Sequence, residues 1–127
     1  MPTKENLELG RKAEELAGNF LKKNGYRVLE KNFRCRYGEI DIIARDKKAI
    51  CFVEVKSRSN FDIAAAKEAV NSRKIGQISK ASLEYLKQKS LLDKKARFDV
   101  ICVGFGPGEP SLEIIKDAFE LKPNYQY

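Results

Sequence analysis

The chain has 127 residues, with 25 Lys and Arg, 18 Asp and Glu and no histidine, and its formal net charge is +7. This length predicts one domain over residues 1–127, which can bury a hydrophobic core without disulfide bonds. The absence of histidine excludes Ser-His-Asp hydrolases, Cys-His proteases, histidine-ligated zinc sites and nucleases whose base is imidazole. Any catalysis must therefore use carboxylates and lysine, with or without a hard metal ion.

Cysteine usage and apolar patterning indicate a cytoplasmic protein. Cys35, Cys51 and Cys102 form no C-x-x-C pair, and two of them lie in apolar runs where cysteine is usually a small buried hydrophobic residue. The longest apolar runs have about five or six residues, whereas a transmembrane helix needs roughly 20. The N-terminal residues include acids and lack the apolar region of a secretory signal. We therefore expect a reducing, cytoplasmic location and no membrane partner.

Two helices are predicted from hydrophobic periodicity. Apolar residues between Leu9 and Leu21 recur on one helical face, which predicts a helix over residues 4–24 with Gly25 as its C-terminal cap. A run of Ala, Lys and Glu from Ala64 leads to Asn71, a candidate cap or break. A long amphipathic helix is predicted after it, over roughly residues 72–90.

Five strands are predicted, over residues 26–34, 39–45, 49–58, 97–103 and 112–115. Gly38 marks the loop between the first two strands, and residues 104–110 form another loop. The order helix, three strands, helix, strand predicts an α/β domain with one mixed sheet and helices packed on its faces. Residues 122–127 contain proline and polar groups, so we expect this tail to fray.

Charge is distributed unevenly along the chain. Residues 22–36 carry six basic and one acidic side chain, and residues 67–97 carry nine basic and three acidic side chains, so the remainder is net acidic. This division suits a polyanion whose phosphates contact Lys and Arg while a carboxylate cluster holds a metal. A solvated basic surface explains the charge alone equally well.

A carboxylate pair is predicted in the second and third strands. If these strands form an antiparallel hairpin with Arg45 opposite Ile50, the same register pairs Ile43 with Phe52, Asp41 with Glu54 and Glu39 with Lys56. Strand alternation then groups Glu39, Asp41 and Ile43 on one face, and Ile40 and Ile42 on the other. Opposed carboxylates destabilise a sheet unless a cation lies between them, and their oxygens suit Mg²⁺ or Mn²⁺.

Lys56 and Glu14 complete the candidate catalytic set. Lys56, one pleat beyond Glu54, could reach a phosphate oxygen or orient an attacking water. Glu14 falls at the edge of the apolar face of the first helix, so it can look toward the sheet, whereas Glu15 points away. These residues also have simpler interpretations. Glu54 and Lys56 can be part of a polar strand face, and Glu14 can be a boundary glutamate of a surface helix.

The arrangement of Asp41, Glu54-Val55-Lys56 and the helix-borne Glu14 resembles the PD-(D/E)xK nuclease superfamily. More closely, the chain resembles the bacterial YraN family, a family of predicted endonucleases distantly related to archaeal Holliday junction resolvases. The resemblance runs from about residue 9 to 120. It is carried by Leu9-Gly10-Arg11, Glu14, Gly25-Tyr26, Asn32-Phe33-Arg34-Cys35-Arg36, Gly38-Glu39-Ile40-Asp41, Phe52-Val53-Glu54-Val55-Lys56-Ser57-Arg58, Ala69-Val70 with Lys74, Arg97-Phe98-Asp99-Val100 and Ala118-Phe119.

This resemblance implies a restriction-endonuclease-like core and Mg²⁺-dependent (or Mn²⁺-dependent) phosphodiester hydrolysis. It implies that Asp41, Glu54 and Glu14 are metal ligands and that Lys56 is the catalytic lysine, and it leaves a contribution of Glu39 and a homodimer open. The expected partner is nucleic acid, DNA more than RNA, with branched DNA as a candidate substrate. The expected nucleic-acid contacts are Arg34, Arg36, Arg58 and Lys74, together with Lys80 and Lys87 on the exposed face of the second predicted helix. The alternative is a nucleic-acid-binding accessory protein that keeps the fold and cleaves nothing, whereas a protein-interaction scaffold would leave the basic segments unexplained.

Overall fold

The computed structural model describes residues 3–58 and 71–120 of the chain. The helices and strands are α1 (Lys4–Lys23), β1 (Arg27–Cys35), β2 (Gly38–Asp46), β3 (Ala49–Arg58), α2 (Ser72–Gln88), β4 (Lys95–Gly104) and β5 (Ser111–Phe119). The predicted bounds agree within two residues except at β5. The predictions for residues 64–70 and for the tail at 122–127 lie outside the described residues.

β5 is longer than predicted because its alternation is interrupted. Val100 pairs with Ile115 and Phe98 pairs with Phe119, so between these pairs one residue of β4 lies opposite three residues of β5. Asp117 lies within this irregularity and has a φ of 53°. A bulge of this kind hides the period-two pattern that identifies a strand in sequence.

The five strands form one mixed sheet in the order β1-β2-β3-β4-β5. β3 and β4 are parallel, and the other neighbouring pairs are antiparallel. Parallel neighbours require a crossover connection, and α2 belongs to the segment that links β3 to β4. The predicted α/β class with one mixed sheet is therefore confirmed.

The two helices cover opposite faces of the sheet. Ala13, Ala17 and Leu21 of α1 are buried in one core with Cys51 and Val53. The other core contains α2 side chains and three sheet aromatics, and its buried residues include Phe33, Phe52, Ile78, Tyr85, Leu86 and Phe98. This arrangement of a mixed sheet between helices is consistent with a restriction-endonuclease-like fold.

Both predicted helix caps are present. Asn71 Oδ1 accepts a hydrogen bond of 3.0 Å from the backbone N–H of Lys74, which satisfies one of the free donors at the start of α2. At the end of α1, Gly25 has a φ of 86°, and the Tyr26 N–H donates to the Leu21 carbonyl at 2.9 Å. A residue in this left-handed conformation after a helix is usually glycine.

A network of buried polar side chains joins three strands and the loop between α1 and β1. The guanidinium of Arg97 donates to both carboxylate oxygens of Asp99 at 2.9 Å, to Asp46 Oδ2 at 3.0 Å and to the Tyr26 hydroxyl at 2.9 Å. The Asp117 N–H donates to Asp99 Oδ1 at 2.9 Å. Asp99 is completely buried, and these donors compensate the loss of its hydration.

The cysteines are free, as expected, and Cys51 and Cys102 are buried. Burial raises the pKa of the Cys51 thiol to about 12, so it stays protonated and acts as an apolar side chain. Within the described residues, neither helix is both long enough and apolar enough to cross a membrane.

Candidate metal centre and nucleic-acid interface

β2 loses its regular alternation next to the predicted site. Ile40 and Ile43 both pack in the core beneath α2, whereas Ile42 lies in the core beneath α1. The prediction that Ile40 and Ile42 share a face is therefore wrong. The cause is an interruption of the pleat at Asp41 and at Asn32, the β1 residue facing it in the register, whose φ is 53°.

The β2–β3 register agrees with the prediction up to this interruption. Arg45 pairs with Ile50 and Ile43 pairs with Phe52. In the described strands the pairing ends at Ile42 and Val53, so the predicted pairs Asp41–Glu54 and Glu39–Lys56 are not part of the ladder. Instead, Asp41 Oδ2 accepts a hydrogen bond of 2.9 Å from the backbone N–H of Val55. The side chain of Asp41 thus spans the point where the two strands cease to pair.

Three carboxylates meet on the α1 side of this point. Glu14, Glu39 and Asp41 each contribute one oxygen, and these oxygens all lie within 4.8 Å of one another. All three residues are half-buried. With its amide nitrogen facing the carboxylates, Asn32 donates to Glu14 Oε1 and to Glu39 Oε1, both at 2.9 Å. We call these three carboxylates the acidic cluster.

The pKa of Glu14 is raised above its ordinary value, first by burial and then by the negative charges of Asp41 and Glu39. The hydrogen bond from Asn32 and the charge of Lys31 oppose this rise. Like charges held this close destabilise each other in the absence of a cation. The acidic cluster is therefore a favourable place for a positively charged ligand.

Glu54 lies on the other side of the sheet from Glu14. Strand alternation places Glu54 on the face of Phe52, beneath α2, and its Oε2 lies 3.6 Å from Lys74 Nζ. Burial, together with a hydrogen bond and charge repulsion from Asp41, raises the pKa of Glu54 to about 8. Asp41 therefore interacts with carboxylates on both sides, and Glu54 interacts with Asp41 and Lys74.

Lys56 lines a cavity of about 270 Å³ at the start of α2. The other lining residues are Asn71, Arg73, Lys74 and Gln77. Since Lys74 also contacts Glu54, this cavity adjoins the carboxylate side of the site. We call it the proximal cavity, and its three cationic side chains suit an anionic group such as a phosphate.

Five of the six predicted basic contacts fall into two groups. Arg58 and Lys74 are half-buried: Arg58 Nη1 donates to the Ser57 carbonyl at 2.8 Å, and Lys74 pairs with Glu54. Arg34 is exposed, and its Nε donates to Glu39 Oε2 at 2.8 Å. Arg34 thus neutralises part of the acidic cluster in addition to adding positive charge to the surface.

The second group surrounds Tyr37, in the turn between β1 and β2. The guanidinium carbon of Arg36 lies 4.8 Å from the centre of the Tyr37 ring, and Lys80 Nζ lies 5.9 Å from it. Lys80 is consequently half-buried, whereas the sequence placed it on the exposed face of α2 with Lys87. Lys87 is exposed, as predicted.

Sequence reasoning did not identify Asn32, Arg73 or Gln77 as site residues. Asparagine in a predicted strand is a signal for the left-handed conformation, which it tolerates better than most residues, and Asn32 adopts it. Gln77 packs against the backbone at Gly38, a contact between α2 and the β1–β2 turn that no local pattern reveals.

The chemistry of these donors fits a hard divalent cation. Carboxylate oxygens are the ligands that Mg²⁺ and Mn²⁺ prefer, and Glu14, Glu39 and Asp41 bring three of them together. Burial and neighbouring carboxylates raise the pKa values of Glu14 and Glu54, and a bound cation would oppose this rise. Glu39, whose contribution the sequence left open, belongs to the acidic cluster, whereas Glu54 does not.

The chain is similar to known proteins over most of its length. Residues 13–103 match the model of the uncharacterised protein family UPF0102. A UPF0102 protein of Syntrophus aciditrophicus is 50% identical to it, over 92% of this chain and 92% of that protein's own length. A UPF0102 protein of Geobacter metallireducens is 51% identical, over 91% of this chain and 95% of that protein's own length. A UPF0102 protein of Clostridium kluyveri is 45% identical and covers 91% of this chain and 97% of its own.

Proposed function

The chain belongs to the UPF0102 family, the family of predicted endonucleases that its motifs resemble, and from this premise we propose a metal-dependent endonuclease that hydrolyses phosphodiester bonds in DNA. The observation that carries the proposal is the adjacency of two features. The acidic cluster of Glu14, Glu39 and Asp41 lies where β2 and β3 separate, and the cation-lined proximal cavity lies just across Glu54. Carboxylates that suit a metal ion and cationic side chains that suit a phosphate are thus side by side.

In this proposal Asp41 is the central metal ligand. Glu14 and Glu39 would hold the metal from the α1 side, and Glu54 would be available from the α2 side through its contact with Asp41. When bound, Mg²⁺ or Mn²⁺ would supply Lewis acidity toward a phosphoryl oxygen and acidify a water. Asn32 restrains Glu14 and Glu39 by donating to both of them.

The basic residues act on the nucleic acid. Lys56 and Lys74, in the proximal cavity, bind phosphate oxygens beside the scissile bond, and Lys56 stabilises the negative charge that develops there. Arg34, Arg36, Arg58, Lys80 and Lys87 contact the backbone farther away. Such contacts carry little sequence information, so we propose recognition of DNA structure, including branched DNA, more than of sequence.

The alternative is a nucleic-acid-binding protein that does not cleave. One observation favours it: Arg34 already pairs with Glu39 and Lys74 with Glu54, so two of the four carboxylates have cationic partners without a metal. In that case the same acidic cluster would stabilise the fold through Asn32, and the basic surface would retain its role.

The test is cleavage of labelled four-way junction, flap, single-stranded and duplex DNA by the purified chain. We expect products in Mg²⁺ or Mn²⁺ and none in EDTA, with junction or flap DNA cleaved fastest. Binding to the same DNAs is measured in parallel in EDTA. Tight binding without cleavage of any substrate in either metal would establish the accessory protein in place of the nuclease.

A further inference from the structure

A second cavity lies at the opposite end of the sheet from the acidic cluster, beside the turn between β2 and β3. Its volume is about 510 Å³, and five cationic side chains line it, together with Asp93: Arg45, Lys47, Lys48, Lys94 and Lys95. All six are exposed. Within residues 3–58 and 71–120, none of the five cations forms an ion pair. We call this the distal cavity.

The turn at the distal cavity contains lysines that its geometry does not call for. Asp46 pairs with Ala49, which leaves Lys47 and Lys48 as a two-residue hairpin turn. Lys47 has a φ of 57°, a conformation that favours asparagine or glycine at this position. Clustered like charges without partners oppose folding, so local structure does not account for this concentration of lysine.

The distal cavity lies on the same face of the sheet as the proximal cavity. Ile50 and Leu91 line it and belong to the core beneath α2. Leu91 follows the C-terminal end of α2, whereas Asn71 and Lys74 of the proximal cavity lie at its start. The 17 residues of α2 span about 25 Å at 1.5 Å per residue. On duplex DNA this separation equals about seven base pairs at 3.4 Å each.

We propose that the distal cavity binds the phosphate backbone of the same DNA whose cleaved bond lies at the acidic cluster. The duplex then follows α2 from one cavity to the other and contacts Lys87 on the way. The identity of the ligand rests on the proposed function, whereas the existence of the binding surface rests on the cavity and its charges.

The test is DNA affinity in EDTA, which does not depend on cleavage. The variant carries Lys47→Glu and Lys48→Glu, and a second variant carries Lys94→Glu and Lys95→Glu on the opposite wall. The control carries Lys22→Glu and Lys23→Glu. This control pair is exposed at the end of α1, on the other face of the sheet but at the same end, since Arg27 pairs with Arg45. Fluorescence anisotropy is read on hairpin duplexes of about 6 and about 14 base pairs, shorter and longer than the separation of the cavities.

We expect the wild type and the control to bind the longer duplex more tightly than the shorter one. Both cavity variants should bind the two duplexes alike, bind the longer one at least about tenfold more weakly than the wild type, and show a salt slope smaller by about 2, because each variant neutralises two fewer phosphates. Thermal melting confirms that each variant is folded. Wild-type affinity in the cavity variants, or an equal weakening in the control, overturns the inference, and either result leaves the cleavage test of the proposed function unaffected.

Discussion

Glu54 is buried beside Asp41, and the two carboxyl groups interact by a hydrogen bond at the end of the β2–β3 pairing. Burial and Asp41 raise the pKa of Glu54 to about 8, from an ordinary value of 4.5. Between these values the folded protein keeps a proton that the unfolded chain has released. The free energy of unfolding of the metal-free protein therefore falls as the pH rises from about 4.5 to about 8.

We expect Glu54→Gln to remove part of this pH dependence, because an amide does not titrate. Urea unfolding in EDTA at about pH 5 and about pH 8 measures it, and the wild type should lose more stability than the variant between the two. Glu14, whose pKa is also raised, contributes in the same direction in both proteins. Equal losses in the two proteins would mean that Glu54 ionises normally.

A substitution of Lys56 can separate an effect on the cleavage rate from an effect on DNA affinity. If it stabilises charge on the phosphate in the transition state, Lys56→Ala should lower the single-turnover cleavage rate about 10²-fold or more and change DNA affinity little. Lys87→Ala is the matched control: Lys87 is exposed on α2, so its removal should weaken binding and leave the rate at saturating DNA unchanged. A Lys56→Ala protein that behaves like Lys87→Ala would assign Lys56 to the binding surface alone.

The β1–β2 turn and α2 meet at Gly38. This glycine has a φ of 133°, and a methyl group on it would overlap the side chain of Gln77. Gly38→Ala should therefore lower the free energy of unfolding by about 1–3 kcal/mol. Gly10 lies within α1 with open space around it, so Gly10→Ala should leave stability unchanged or raise it by up to about 1 kcal/mol. Chemical denaturation compares the stabilities of the two variants. A Gly38→Ala protein as stable as Gly10→Ala would show that a side chain at position 38 causes no strain.

The elements were predictable because their patterns are local. The apolar face of α1, the Asn71 cap and the hairpin register from Arg45 to Ile43 follow from periods of 3.6 and 2 and from capping chemistry. The part of the site that depends on irregular backbone was not predictable. Regular alternation at Asp41 placed it on the face of Glu54, whereas the interruption opposite Asn32 turns it toward Glu14. Only the position of Glu14 at the edge of the apolar face of its helix indicated that its side chain can approach the sheet.

One buried network joins elements that are distant in sequence. Asp99 accepts from Arg97, Tyr26 and the Asp117 backbone, and Arg97 also binds Asp46. Sequence patterns showed Arg97 and Asp99 as alternating residues of one strand, but not their partners, which are brought together by the sheet order. This network lies at the end of the sheet opposite the acidic cluster, so we assign it to stability.

Asp99→Asn should destabilise the protein by about 3–5 kcal/mol, because Arg97 would keep its charge and lose its principal partner. Asp93→Asn is the control, since Asp93 is exposed in the loop before β4. Thermal and urea unfolding give the difference. A loss below about 1 kcal/mol, the size typical of exposed ion pairs, would contradict a stabilising role for the Arg97–Asp99 pair.

We propose that the carboxylates around Asp41 hold a divalent cation that the cleavage of DNA requires. The most direct measurement is calorimetric titration of Mn²⁺ into the wild type, Asp41→Asn and Asp117→Asn, with single-turnover cleavage of junction DNA by the same samples. Asp117 is exposed, and its φ of 53° is one that asparagine adopts readily, so this variant is a matched control. We expect metal binding and cleavage in the wild type and the control, and loss of both in Asp41→Asn. Unchanged Mn²⁺ affinity in Asp41→Asn would contradict this assignment of the metal site.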